Sequence, residues 1–522
     1  MELVMRHQTL STVIIRVLVK NMDYNNHYWL NLLKHWAEVQ PDKLVFKEAG
    51  KEGMTYGEFY RQVCSVANVV LRFFDGQMPE EPIAVTVDRD VQSLVNMFGI
   101  CVAGGWYIPI DSALPTERAE LLLSGCSPAV LLYATANDPF PQSNVPKLFA
   151  DTTKVCDNQV FPVRDETLPM FGIFTSGSTG IPKLVVKDGR GIRRFIEDYC
   201  NRFGFTSEEI FGNQIPFYFD ASTKDIFATV YLGATSVIFL QRAVSIPMHL
   251  IQMLNEEKIS TFVCVPSVMS VAARFEVFSV AKPVALKNVL FVGERMPIRH
   301  LNYWRTELTE TRFINLYGST EVAGNSCYYI VDREFGEEEV LPIGHTFDTA
   351  KIFLLDENGV LSNEGEICVA GDGLAIGYYN DKEKTDAVFG DLYLESFEVR
   401  IYRSGDYGKI NEHGEYVCIA RKDAQIKHMG HRIELGDIEV CASAIDYVEE
   451  CCCLYVADME KIILFFACDD NNKKRIRKDL SAKLPKYMLP HEYAWFSELP
   501  HNRNGKIDRA GLLQEWVKNH TL

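Results

Sequence analysis

Residues 171–187 read FGIFTSGSTGIPKLVVK, and the rest of the chain is organised around this stretch. An apolar strand, Phe171 to Phe174, runs into a loop without bulky side chains: Thr175, Ser176, Gly177, Ser178, Thr179 and Gly180. Lys183 follows, and a β-branched run resumes. Such a loop exposes hydroxyls and backbone N–H groups, and glycine lets the backbone approach a ligand closely. With an ammonium at its exit, the loop has what a polyphosphate cradle requires. The spacing G-x-x-x-x-G-K-[ST] cannot be fitted between Gly177 and Lys183, so this is a different kind of loop. From these residues alone, a solvated Ser/Thr/Gly turn is an equal alternative.

A chain of 522 residues exceeds one compact core, so two or more domains are expected. A net charge of −17 argues against nucleic acid or an anionic membrane as partner. No apolar run reaches the length of a membrane span. The 14 cysteines include no C-x-x-C pair, and no clear secretory signal precedes them, which predicts reduced thiols in a cytoplasmic protein. Cys451, Cys452 and Cys453 are adjacent, so on a strand they point to alternate faces; a core strand fits them better than a metal site.

Apolar spacing predicts helices over Tyr28 to Gln40, Ile192 to Phe203 and Ser267 to Phe275, and strands at Pro82 to Asp88, Ile259 to Val265 and Val289 to Val292. Phe217-Tyr218-Phe219-Asp220-Ala221-Ser222 opens a further helix, with Asp220 expected at its N-cap. Lys224, four residues on, can share a helix face with Asp220 and pair with it.

Thr175 to Lys183 resembles the phosphate loop of the adenylate-forming superfamily, which includes acyl-CoA synthetases and nonribosomal peptide synthetase adenylation domains. Further motifs follow in that family's order: MTYGEF from Met54, the FDAS run ending at Ser222, and NLYGSTE from Asn315. EGEICVAG from Glu364, YRSGD ending at Asp406, ARKDAQIK from Ala420 and GHRIELGDIE from Gly430 continue the series, which closes with LPKYMLP and NGKIDR. The departures are Leu184 and Ala420 where Gly is usual, and Ser319 where Pro is usual.

The resemblance implies an α/β fold: a large N-terminal domain of two α/β subdomains plus a small β-barrel, then a small mobile α+β lid. The expected divisions are a disordered extension at 1–22, an AMP-binding domain at 23–420 and the lid at 421–522, with Lys422 and Asp423 as hinge. Met22 is expected as the more natural start, the preceding residues being a loose extension or an upstream start.

It also implies roles. Thr175, Ser176, Gly177, Ser178, Thr179, Gly180, Lys183, Asn315, Leu316, Tyr317, Gly318, Ser319, Asp406 and Arg421 would bind ATP. Tyr317 would stack on the adenine, and Asp406 would hold the ribose hydroxyls. Thr320, Glu321 and Lys506 would be catalytic, with Glu321 holding Mg²⁺. Asp220, Ala221, Lys224, Leu316, Gly324 and Lys506 would line the acyl pocket, Asp220 taking an α-ammonium. The implied activity is activation of an amino acid with ATP, then transfer to the phosphopantetheine thiol of a separate carrier protein. No carrier or condensation domain is recognisable in the chain, so a stand-alone ligase is expected. An acyl-CoA ligase for a non-amino acid, or a nucleotide-binding protein without catalysis, are the alternatives.

Overall fold

The computed structural model describes residues 27–134, 138–150, 160–175, 182–240, 246–337, 339–394, 397–421, 425–468, 471, 473–501 and 507–520. The extension 1–22, Ser176, Gly177, Ser178, Thr179, Gly180, Lys422, Asp423 and Lys506 lie outside or largely outside them. The described residues fall into two compact units, within Met1–Ser112, Cys126–Phe174 and Leu184–Lys422 for the first, and within Ala113–Gly125, Thr175–Lys183 and Asp423–Leu522 for the second.

The first unit holds two large sheets. One has nine strands, in the order His345–Thr346, Cys327–Ile330, Arg312–Tyr317, Asn288–Val292, Thr261–Cys264, Ile210–Asn213, Thr235–Ile238, Leu44–Glu48 and Gly53–Thr55. It is parallel from Arg312–Tyr317 to Leu44–Glu48 and antiparallel at both edges. The other has seven, with Gly377–Tyr378 and Lys183–Asp188 at one edge and Pro169–Thr175 beside them. Buried parallel strands read as near-continuous apolar runs, as NVLFV at Asn288–Val292 does.

Helix Tyr56–Phe73 shows how locally this is written. Thr55 Oγ1 accepts the Glu58 N–H at 3.2 Å, and Glu58 Oε2 accepts the Thr55 N–H at 3.0 Å, a reciprocal capping box. Phe59, Val63, Val66 and Val70 then recur at helical spacing and are fully buried. The expected helices form as Tyr28–Val39, Gly189–Phe203 and Pro266–Arg274. Leu184 is accommodated by its neighbour: a Cβ on Gly172 would lie 2.8 Å from Leu184 Cδ1, so the missing side chain on one strand makes room for the extra one on the next.

The region expected as a small barrel is an open antiparallel sheet of five strands, Lys351–Leu355, Glu364–Ala370, Phe397–Ile410, Phe389–Leu394 and Tyr416–Arg421. Phe397–Ile410 pairs with three of the others.

The second unit is α+β. It contains the hairpin Gln425–His428 and His431–Glu434, helices Leu435–Ser443, Lys473–Lys483 and Arg509–His520, and a sheet of Glu450–Val456, Lys461–Ala467 and Glu492–Phe496. Cys451 and Cys453 enter one apolar cluster and Cys452 another, so the strand is buried on both faces. His428, buried between the rings of Tyr455 and His491, has no partner for Nε2 among the described residues. Burial, with His491 adding to it, pushes its imidazole down to about 4. The unfolded chain, titrating near 6.5, therefore takes up a proton first as pH falls. Stability should be full above pH ~6.5 and decline by up to about 3 kcal/mol as pH falls through ~4. His428→Leu should flatten that slope, read by hydrogen exchange of Glu450–Val456 and Lys461–Ala467 at pH 7 and 4.5.

Candidate active site

Strand Arg312–Tyr317 ends at the turn carrying Gly318, Ser319, Thr320 and Glu321. Tyr317, at the strand's buried end, donates its hydroxyl to Asp406 Oδ2 at 2.5 Å. Arg421 Nη1 donates to Asp406 Oδ1 at 2.7 Å, and the Asp406 N–H donates to Ser404 Oγ at 3.0 Å. Three residues expected at a nucleotide, Tyr317, Asp406 and Arg421, are thus brought into one hydrogen-bonded group. Burial, and the Asp406 charge after it, raises the Tyr317 phenol well above its usual range, so it stays a donor. Tyr317→Phe should raise the KM for ATP about tenfold, because it removes a hydrogen bond to a charged group. ATP titration of initial rates checks it.

Gly318 is required by close approach: a Cβ there would sit 2.9 Å from the Asn325 Cα. Ser319 and Thr320 remain partly accessible, whereas Glu321 is fully buried. Tyr378 donates its hydroxyl to Glu321 Oε1 at 2.9 Å, and the Ala375 N–H donates to the Glu321 carbonyl at 2.9 Å. Asn315 is committed elsewhere, its Nδ2 donating to the Pro342 carbonyl at 2.8 Å. Thr175 Oγ1 donates to the Lys183 carbonyl at 3.5 Å. The expected roles of Ser176, Gly177, Ser178, Thr179, Gly180 and Lys506 fall outside the described residues.

The residues expected to line an acyl pocket are arranged differently from expectation. Asp220 is no N-cap: it opens a short 3₁₀ turn, Asp220–Ser222, and helix Thr223–Leu232 starts without a side-chain cap. Its Oδ1 instead accepts a hydrogen bond from the Lys187 ammonium, which also donates to the Val322 carbonyl at 3.1 Å. Burial pushes the Asp220 carboxyl up, and Lys187 and then Lys224 oppose the shift. Lys224 is fully buried but makes no hydrogen bond or ion pair within 4.0 Å among the described residues, so the expected contact with Asp220 is absent. Burial pulls its ammonium down and pushes the neighbouring Asp225 up. Asp225 Oδ2 accepts from Asn213 at 3.0 Å, and its Oδ1 is buried without a partner among the described residues. Ala221 and Leu316 meet in one apolar cluster. Gly324 adopts φ +64°, beneath the Phe195 ring.

Two residues here escaped the sequence reading. Tyr378 lies 57 positions from Glu321, and no local pattern announces that contact. Lys187 did leave a signal: in a buried strand it shares a face with Val185, and an inward lysine demands a counter-ion.

A family model described as AMP-binding enzyme matches residues 33–379, and one described as AMP-binding enzyme C-terminal domain matches 437–506. The chain belongs to the AMP-binding enzyme family. It is 30% identical over 503 residues to bacitracin synthase 1 of Bacillus licheniformis, covering 94% of this chain and 9% of that protein. It is 27% identical to the D-alanine–D-alanyl carrier protein ligase of Staphylococcus haemolyticus, covering 93% of this chain and 99% of the other. The chain thus spans about a tenth of the large synthases it matches and nearly all of the ligase. Among solved structures it superposes on a nonribosomal peptide synthetase protein containing adenylation and PCP domains, with a TM-score of 0.83, 23% identity and coverage of 94% and 85%. It also superposes on o-succinylbenzoate CoA synthetase of Bacillus subtilis, with a TM-score of 0.79, 17% identity and coverage of 93% and 98%. These likenesses support the mixed α/β architecture.

AMP-binding enzymes act on ATP, typically with Mg²⁺, and the residues present fit that ion. Glu321 supplies one buried, hard carboxylate steadied by a phenol, and Mg²⁺ binds through one or two carboxylates together with phosphates and waters. When bound, the ion would neutralise charge on the phosphates.

Proposed function

We propose that this AMP-binding enzyme activates an amino acid with ATP, giving an aminoacyl-adenylate and pyrophosphate, and passes the aminoacyl group to the phosphopantetheine thiol of a separate carrier protein. The observation that carries the reading is Asp220, a largely buried carboxylate in the turn before a buried helix, which in this reading takes the substrate's α-ammonium. The near full-length match to a carrier-protein ligase supports it. In this reading Tyr317, Asp406 and Arg421 bind and orient the nucleotide, and the loop from Thr175 with Lys183 cradles the phosphates. Thr320, Glu321 and Lys506 oppose charge that develops at the α-phosphate as the substrate carboxylate attacks it. Residues 23–420 would carry activation and 421–522 the lid, hinged at Lys422 and Asp423. All described cysteines are free thiols, which suits a cytoplasmic setting, and no described helix is long and apolar enough to cross a membrane.

The test is ATP–pyrophosphate exchange across L-, D- and β-amino acids, aryl acids and fatty acids, followed by mass spectrometry of a phosphopantetheinylated carrier. Exchange with an amino acid and a mass gain on the carrier are expected; transfer to CoA alone overturns the second step. Lys224, buried and without an ion pair within 4.0 Å among the described residues, in this reading favours a side chain bearing a carboxylate or other acceptor. Lys224→Met should therefore cut kcat/KM for the best such substrate at least about tenfold while sparing apolar amino acids. One observation favours the second reading, a ligase for a non-amino acid: Asp220 already has a lysine on it.

A further inference from the structure

Lys187 is 1% exposed, while the side chain of Asp220 is 11% exposed. Of the two, the carboxylate is the more accessible partner. Lys187 comes from strand Lys183–Asp188, Asp220 from the turn before a helix, and Val322 from the residue after Glu321. The ammonium is fixed to two of these segments at once and lies 6.0 Å from the centre of the Phe171 ring. Among the described residues, the charges that act on Asp220 are those of Lys187, Lys224 and Glu321.

A lone buried carboxylate would select strongly for a cation, since leaving it unpaired is costly. Asp220 is not alone. What it presents is one end of a neutralised ion pair, and of the further charges Lys224 and Glu321 act on it in opposite directions. A substrate ammonium would gain from Asp220 but meet repulsion from Lys187, which already holds that carboxylate. A hydroxyl would donate to the same carboxylate oxygen without bringing charge.

We infer that Lys187 is a specificity-determining residue: as a resident ammonium on Asp220, it makes the pocket accept a carboxylic acid with a neutral α-substituent, above all an α-hydroxyl, as readily as an α-amino acid. This rests on the proposed function only in that Asp220 faces the α-carbon of the acyl substrate. An apolar residue at 187 would restore selectivity for the ammonium.

The test uses the full chain and two bisubstrate probes that lack a side chain, glycyl- and glycolyl-sulfamoyladenosine, with Kd measured by calorimetry. For the wild type the two Kd values should agree within about fivefold. Lys187→Arg should keep that ratio, and Lys187→Met should move it at least about fivefold further towards the glycyl probe. A wild-type preference for glycyl beyond about fivefold overturns the inference, as does a Lys187→Met ratio equal to the wild type. If Lys187→Met does not fold, the wild-type ratio decides alone. Failure of both probes to bind, with AMP still bound, also overturns it; failure of AMP as well overturns the adenylation reading too. Tight glycolyl binding with no exchange on any amino acid would sink the amino-acid reading and leave the role of Lys187 standing.

Discussion

Glu321→Gln should lower kcat for adenylate formation by about 10²–10³-fold, equivalent to about 3–4 kcal/mol of transition-state stabilisation. The substitution keeps the shape of a fully buried side chain and leaves an oxygen to accept the Tyr378 hydroxyl, now 2.9 Å away. What it removes is the negative charge that can hold a divalent ion beside the phosphates. The fold should survive, and KM for ATP should change less than kcat. Tyr378→Phe is the control: it leaves the charge but loses one hydrogen bond to it, and should cost about tenfold. Pyrophosphate exchange over a Mg²⁺ titration checks both. A Glu321→Gln enzyme within tenfold of wild type would remove Glu321 from the catalytic group.

Gly324→Ala should cost about 3 kcal/mol of stability and most of the activity. Gly324 sits at φ +64°, where a Cβ costs about 1–2 kcal/mol. That Cβ would also fall 2.2 Å from the Phe195 ring. Phe195 cannot step aside, because it is 1% exposed, stacks on Tyr199 and meets Phe347 edge-on. Overpacking of this kind adds about 1–3 kcal/mol. The strain would fall on the turn that carries Glu321 and Asn325. Thermal unfolding and exchange rates should therefore fall together, unlike Glu321→Gln, where only the rate falls.

The folding elements were legible where local chemistry decides them. The apolar period marks helix Gly189–Phe203, and the cysteine triplet marks a strand with two buried faces. The grouping of Tyr317, Asp406 and Arg421 was legible because their motifs are short and ordered along the chain, while the bond from Asn315 to the Pro342 carbonyl was not. The acyl pocket was less so. An i,i+4 spacing offered Lys224 to Asp220, but the 3₁₀ turn and a competing lysine from another sheet decided the pairing. Contacts such as Tyr378 to Glu321 depend on tertiary proximity that no window of sequence contains.

Lys187 reaches Asp220 across 33 positions and Val322 across 135. Its strand belongs to the seven-stranded sheet, while the Val322 turn follows a strand of the nine-stranded one. Until these segments have assembled, the lysine has every reason to stay in water, since burying it early would leave a bare charge. Closing such long loops is slow and comes late in folding. The contact of Lys187 with Asp220 and Val322 is thus expected among the last features a nascent chain completes, and under the proposed function selectivity for the acid should reappear on refolding only after the secondary structure has returned.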